Sequence, residues 1–281
     1  MRILVTGTGG LIGSYVAREL LRAGHDVTGI DIAPAKPSTG RSLRVDLTDS
    51  GQVYQALAPV EAVVHMGAWA NAGIVPDTRT YHDNTTGTFN LFQACADLGI
   101  RRIVSASSAQ VYGFAAAPPL YAPIDEAHPL RPLNCYALSK TAGEQAADYF
   151  IERKGLEILT FRIMGARAPS AMDANIERIA QNPGGDTSLL WTRTDARDMA
   201  IASRLAIEAE KVEPGPYNIT GAVVLEESSA ALVERHFADR TEIRDHLANS
   251  LSPLSCARAE RVFGYRPRYL WSVSQRHPEE D

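Results

Sequence analysis

Tyr136 and Lys140 stand four residues apart in Tyr136-Ala137-Leu138-Ser139-Lys140, inside a stretch from Leu133 to Arg153 that reads as a helix. At that spacing both side chains leave one helix face. A free tyrosine has a pKa of about 10, too high for a base at neutral pH, but a nearby ammonium favours the phenolate and lowers that value. Lys140 can supply the ammonium. A second stretch, Ser105-Ala106-Ser107-Ser108-Ala109-Gln110-Val111-Tyr112-Gly113, offers the Ser108 hydroxyl to hydrogen-bond and orient a reacting oxygen. Together these types suit proton transfer at an alcohol or carbonyl oxygen. Gln110, from the same loop, is a candidate contact for a polar substrate, and equally a tie within the loop. Tyr-x-x-x-Lys alone is usually a solvated pair, so its meaning depends on the elements around it.

Those elements begin at the first residues. Arg2-Ile3-Leu4-Val5-Thr6 is a short apolar strand, and Gly7-Thr8-Gly9-Gly10-Leu11-Ile12-Gly13 follows at once. Ser14 to Ala23 carries apolar residues at Val16, Ala17, Leu20 and Leu21, which is helical spacing, and Gly24 ends the helix. Val27 to Ile30 is a second buried strand with Asp31 at its carboxyl end. In such a β-turn-α-β unit Gly7 permits the tight turn, Gly10 lets backbone approach a pyrophosphate, and Gly13 lets helix and strand pack closely. The helix start, at Leu11 and Ile12, turns unpaired N–H groups to the phosphates. Asp31 sits where a carboxylate accepts from the adenosine ribose hydroxyls and repels a 2′-phosphate, so NAD is expected over NADP. A nicotinamide supplies the hydride partner that Tyr136 lacks, and its positive ring also favours the phenolate.

Further along, Ala33 to Gly40 is a loop with Pro34 and Pro37, and Ser42 to Val45 a third strand ending at Asp46-Leu47. The pair suits an adenine pocket, with Asp46 on the exocyclic amine and Leu47 over the ring. Equally, Asp49 caps the helix Gln52–Leu57 and Asp46 is merely solvated. Ala62 to His65 is the fourth strand; it empties into Met66-Gly67-Ala68, small backbone against which a cofactor can slide. His65 reads as a packed strand-end residue rather than a catalyst. Tyr81 to Leu98 is a helix, with Asn84 near its start to brace backbone or cofactor, and Arg102 to Ser105 is the fifth strand. Phe114 to Pro132 has no period and reads as a long loop, commonly a functional cover. Glu157 to Arg162 is the sixth strand. Strands alternating with helices predict an α/β fold, a doubly wound parallel sheet of the Rossmann type. Residues 1–162 are read as the NAD-binding domain. Residues 163–281 are read as a smaller C-terminal substrate lobe sharing some chain with the core and roofing the crevice, with a helix at Asp198–Glu210, a strand at Tyr217–Thr220 and short helical stretches at Glu226–Phe237 and Ser255–Phe263.

Composition is that of an ordinary globular protein: 281 residues, 45% hydrophobic and 22% charged. A formal net charge of −5, with no basic run beyond Arg101-Arg102, argues against a nucleic-acid partner. The three cysteines, Cys95, Cys135 and Cys256, are scattered without metal-ligand spacing, so neither a disulfide framework nor a metal site is expected. No apolar run reaches membrane length, and the first strand starts at residue 2, which leaves no room for a signal peptide; a cytoplasmic protein is expected.

The assembled pattern resembles the extended short-chain dehydrogenase/reductase family, the NAD-dependent sugar epimerases and dehydratases, over nearly the whole chain. The resemblance rests on Gly7-x-x-Gly10-x-x-Gly13, Asp31, Asp46-Leu47, His65-Met66-Gly67-Ala68, Asn84, Ser108-x-x-Val111-Tyr112-Gly113 and Tyr136 with Lys140. Ala257 to Pro267 resembles the family's closing helix and turn. By that resemblance Ser108, Tyr136 and Lys140 are the catalytic residues, and Lys140 also holds the nicotinamide ribose. Three departures bear on substrate. Gly165 follows the sixth strand where many nucleotide-sugar members have asparagine. Trp191 stands where an arginine often meets the diphosphate, although Arg167 or Arg193 could replace it. Ala109-Gln110 follows Ser108 where the 4,6-dehydratases have an acidic pair, and without an acid for the leaving hydroxyl dehydration is disfavoured.

The reduced lobe most resembles members acting on free sugars or sugar acids, such as uronate dehydrogenases. The expectation is an NAD-dependent oxidoreductase for a secondary alcohol or hemiacetal of a small sugar or sugar acid. Ser108, Gln110, Tyr136, Arg167 and Arg193 are the candidate substrate contacts. A nucleotide-sugar epimerase with tightly bound NAD is the alternative, and a non-catalytic NAD(P)-sensing protein the alternative of another class. Family members often dimerise through the helices at Tyr81–Leu98 and Leu133–Arg153, which makes a homodimer a possible state.

Overall fold

A computed structural model describes residues 1–34, 40–58, 60–244, 246–247 and 250–278. Seven strands form the main sheet: β1 (Arg2–Thr6), β2 (Asp26–Asp31), β3 (Arg41–Arg44), β4 (Ala62–His65), β5 (Arg102–Ser108), β6 (Glu157–Ile163) and β7 (Gly215–Ile219). Their order is β7-β6-β5-β4-β1-β2-β3, and each neighbouring pair is parallel. A sheet covered on both faces needs apolar side chains on both, hence Ala62-Val63-Val64-His65, buried throughout. Strand order reverses between β1 and β4, so the crevice opens above their carboxyl ends.

Helices α1 (Leu11–Arg22), α2 (Ser50–Leu57), α3 (Asp77–Leu98), α4 (Cys135–Lys154), α5 (Met172–Gln181), α6 (Ala196–Glu208), α7 (Ser229–Phe237) and α8 (Ala257–Phe263) complete the framework. Val16, Ala17 and Leu20 of α1 share one core with Met199, Ala202 and Ala206 of α6 and Phe263 of α8. Val53, Leu91, Phe92 and Phe150, from α2, α3 and α4, build the core on the other face. Gly99 and Gly155 close α3 and α4 in the left-handed conformation that glycine adopts without a Cβ penalty. Asn134 opens α4, its side chain accepting from the Ala137 N–H at 2.8 Å and so setting the start of the helix that carries Tyr136.

Several sequence expectations are corrected. β5 runs three residues beyond Ser105 and pairs Ser108 with Ile163, so Ser108 is fixed by the ladder rather than by a loop. Polar serines concealed that strand, because their side chains face a polar interior and not a greasy one. α3 begins at Asp77, not Tyr81; its first turn, Asp77-Thr78-Arg79, is polar and shows no apolar period. The expected Tyr217–Thr220 strand is β7, paired with β6, so it extends the main sheet instead of belonging to the lobe. α6 likewise packs on the sheet.

The Phe114–Pro132 stretch is no lid over the crevice. Tyr121–Ala122 pairs with Glu242–Ile243, Ile124 N–H donates to Pro253 O at 2.7 Å, and Thr241 Oγ1 donates to Pro119 O at 2.7 Å. These contacts stitch it to the C-terminal lobe, whose own core combines Tyr112, Ile124, Met172, Trp191, Leu232 and Trp271. Of the expected Ala33–Gly40 loop, residues 35–39, with Pro37, lie outside the described residues.

Candidate active site

The crevice is a cleft of about 780 Å³ above β1 and β4. Gly7 follows β1 with φ +77°, and a Cβ there would stand 2.8 Å from Gly67 N, so the turns leaving β1 and β4 approach this closely only with glycine at position 7. A Cβ on Gly13 would stand 2.2 Å from Gly7 O, which is why α1 can start directly beneath the turn. Gly10, the residue before α1, gives no side-chain cap. The first-turn N–H groups, at Leu11 and Ile12, therefore face the cleft as an anion site. A Cβ on Gly10 would meet only Gly7 O, at 3.2 Å, leaving that wall clear for a pyrophosphate.

Asp31 lies at the tip of β2. Its Oδ2 accepts from Gly9 N at 2.9 Å and its Oδ1 from Ala33 N at 2.8 Å. Each oxygen keeps a lone pair for a ribose hydroxyl. Asp46 and Leu47 also line the cleft, and Asp46 Oδ1 accepts from Thr48 N at 2.9 Å, while Asp49 is indeed the cap of α2, accepting from Gln52 N. Met66, Gly67 and Ala68 form the floor. Asn84 lines the cleft and braces the loop beside it, accepting from Trp69 N at 2.8 Å and donating to Trp69 O and Ser139 Oγ. These features fit a dinucleotide, with NAD's diphosphate at the α1 start and its adenosine end at Asp31.

Ser108, Tyr136 and Lys140 converge at the other end of the cleft. Burial pushes the Tyr136 hydroxyl up to about 12, against a hydrogen bond with Ser108 that lowers it. Lys140 Nζ donates to Ala106 O at 2.8 Å and lies 5.7 Å from the Tyr136 ring centre. Burial brings Lys140 down to about 8, opposed by the Glu144 carboxylate. Among the protein groups desolvation outweighs the neighbours at Tyr136, so the expected shift toward the phenolate rests on the positive nicotinamide that acts together with Lys140. His65 is held between Thr6 Oγ1 at 2.8 Å and Thr88 Oγ1 at 3.1 Å, and burial, with the Lys140 charge, brings it down to about 3. It is a neutral structural histidine.

Gln110 lines the cleft with its amide shared between Asn71 and Asn134. Arg167 lines it from the lobe, donating to Asn175 Oδ1 and Ala166 O. Arg193 does not reach it. That side chain is fully buried in a two-pronged pair with Asp186, Nη2 to Oδ1 at 2.7 Å and Nη1 to Oδ2 at 3.0 Å, which anchors the lobe and leaves nothing for substrate. Sequence reading missed the cleft mouth, where Trp69 Nε1 and Arg79 both donate to Asp83 Oδ2. Arg79 and Asp83 are an i,i+4 pair, a signal too common to single out. Among the described residues no cluster of metal-ligating side chains occurs.

A sequence profile described as the NAD dependent epimerase/dehydratase family matches residues 3–220. The chain belongs to that family. Uronate dehydrogenase of Pseudomonas syringae pv. tomato is 34% identical over 169 residues, covering 58% of this chain and 58% of that one. UDP-glucose 4-epimerase of Bacillus subtilis is 36% identical over 161 residues, 52% of this chain and 46% of that one. The alignments thus span roughly half the length of these curated relatives. A short-chain dehydrogenase/reductase superfamily protein from Agrobacterium tumefaciens, solved with bound NAD, superposes with a TM-score of 0.74 at 23% identity, covering 96% of this chain and 93% of that one; this speaks to fold alone. No helix among the described residues is long and apolar enough to cross a membrane.

NAD is the cofactor of this family, and Asp31 bears on its form. Asp31→Ser removes the charge that would oppose a 2′-phosphate. The expected result is about a tenfold loss of NAD affinity together with a comparable gain for NADP, read by fluorescence titration of both dinucleotides. An unchanged NAD:NADP ratio would remove Asp31 from the ribose site.

Proposed function

We propose that this family member is an NAD-dependent dehydrogenase oxidising a hydroxyl of a small sugar acid. Bound NAD supplies the hydride acceptor and a positive ring. Ser108 orients the reacting hydroxyl, Tyr136 takes its proton, and Lys140 holds the ribose and stabilises the resulting charge. In the reverse direction Tyr136 returns the proton to a carbonyl oxygen.

The observation that carries the substrate class is Arg167. Among the described residues it is the only charged side chain that residues 163–278 contribute to the cleft, and no carboxylate lies within ion-pair distance of it. Burial and the neighbouring Arg193 push its pKa down, an environment that a carboxylate on the substrate would relieve. The uronate dehydrogenase relative supports the same class.

With excess NAD and a panel of uronic acids, neutral aldoses and nucleotide sugars, reduced cofactor is expected to accumulate steadily with a uronic acid. Arg167→Met should cost about 1.5–3 kcal/mol of substrate binding, roughly ten- to hundredfold in KM for the acid, with little change for a neutral aldose. The similarity to UDP-glucose 4-epimerase favours one second reading, a nucleotide-sugar epimerase. Interconversion of a nucleotide sugar with no net reduced cofactor would establish it in place of the first. NAD binding without turnover of any substrate would leave a sensor. The half-exposed Tyr81, Phe89, Leu138 and Tyr149 on α3 and α4 are the surface through which two copies would pair, and light scattering on the same preparation reads the copy number.

A further inference from the structure

Behind the catalytic lysine is a second, small polar space. It measures about 10 Å³, and its walls include Lys140, Glu144, Ser105, Ser107, Ser139 and Thr160. That is room for one water molecule among several hydrogen-bonding partners, which is what a buried water requires. Lys140 and Glu144 face it together because they are one helical turn apart. Glu144 is fixed from the far side: Oε1 accepts from Ser107 Oγ at 2.5 Å, and Oε2 accepts from Arg162 Nη2 at 2.7 Å. Arg162 is in turn held by Tyr112 Oη and Glu126 O, and it does not line the space. Lys140 has three donors and spends one on Ala106 O. The other two remain for the cleft and the small space, both of which Lys140 lines.

We propose that Glu144 is a positioning residue for Lys140, keeping the ammonium charged and aimed at the cofactor through a single water trapped between them. Arg162 and Ser107 serve to hold the carboxylate at that post. Glu144 shares the space with Lys140 and Arg162 does not, and Glu144 is the charge that raises Lys140, so Lys140 experiences the pair as a negative end. The other groups around it do not supply this charge. His65 from β4 is neutral, Tyr136 on α4 is protonated, Arg162 from β6 has the wrong sign, and Asp148 lies a further turn along α4 with its pKa raised by burial and by Glu144 itself. α3 and β5 contribute only the uncharged Asn84, Thr88, Ser105, Ala106 and Ser107.

The inference rests on the reading above in one respect, that Lys140 holds the ribose. The test is therefore NAD affinity against pH, followed through tryptophan fluorescence, since Trp69 lines the cleft. Lys140 is protonated below about 8 and neutral above it, so wild-type affinity is expected to be high below that pH and to fall as pH rises through it. In Glu144→Gln the fall should begin about one pH unit lower, giving about threefold weaker binding midway between the two midpoints and approaching tenfold above both. Glu144→Asp, which keeps the charge, should restore most of the wild-type profile. If Glu144→Gln does not fold because Arg162 is left unpaired, Glu144→Gln with Arg162→Gln removes both charges and carries the same expectation. An unshifted profile in either variant, or an equal loss of affinity at every pH, overturns the proposal and makes the pair purely structural. Binding is read without turnover. A protein that shows the shift yet oxidises no sugar would overturn the proposed function and leave this inference standing.

Discussion

Tyr136→Phe is expected to lower kcat by about 10²- to 10⁴-fold, the range that a positioned acid/base group contributes, while leaving NAD binding intact. The phenyl ring keeps the packing of the buried tyrosine, and α4 keeps its Asn134 cap, so the fold has no reason to change. What disappears is the hydroxyl that pairs with Ser108 and carries the proton between substrate and protein. One hydrogen bond is lost, about 1 kcal/mol of stability, which a melting curve would show as a shift of a few degrees at most. Steady-state rates and a calorimetric NAD titration on the same preparation separate the two effects. Near-wild-type turnover in this variant would mean that another group moves the proton, and the roles assigned to Ser108 and Lys140 would fall with it.

Gly13→Ala should have the second largest effect, on binding. The added methyl would stand 2.2 Å from Gly7 O and 2.6 Å from Gly7 C, backbone atoms that cannot swing aside as a side chain would. Either α1 withdraws or the turn between β1 and α1 opens, and in both cases the first-turn N–H groups leave the diphosphate. Affinity for NAD is expected to fall at least about a hundredfold, about 2.7 kcal/mol. Overpacking adds roughly 1–3 kcal/mol of destabilisation. The check is dinucleotide titration alongside a thermal melt. A variant that binds NAD as tightly as the wild type would show that the diphosphate rests elsewhere.

The parts of the site that were legible in the sequence depend on short-range geometry. Gly7, Gly10 and Gly13 belong to one turn and the helix that follows it, and Tyr136 and Lys140 to one helical turn, so spacing alone places them. What stayed hidden depends on partners that spacing does not encode. Arg193 reads as an available cation until Leu190 and Trp191, both at positive φ, turn the chain so that it meets Asp186. The 114–132 segment reads as a free cover until its pairing with residues near 242 is known. β7 is four apolar or neutral residues and a proline, too short to say which sheet it joins. Spacing puts Tyr136 and Lys140 on one helix face, but the desolvation that raises one pKa and lowers the other is a property of the folded interior that spacing does not encode.

β7 returns to the main sheet after the first lobe segment, and α8 packs back onto the core after the second. The lobe therefore hangs from the scaffold as two insertions, each moored at both ends, joined by a further segment after α8 whose Tyr269 and Trp271 return to its core. A piece cut at residue 162 would lose α6 from the face of α1 and bare the edge of β6, and should come out as an insoluble clump. The same mooring lets evolution, or an engineer, lengthen or shorten either insertion to admit bulkier or slimmer guests while the hydride-handling end keeps its ångström-level alignment.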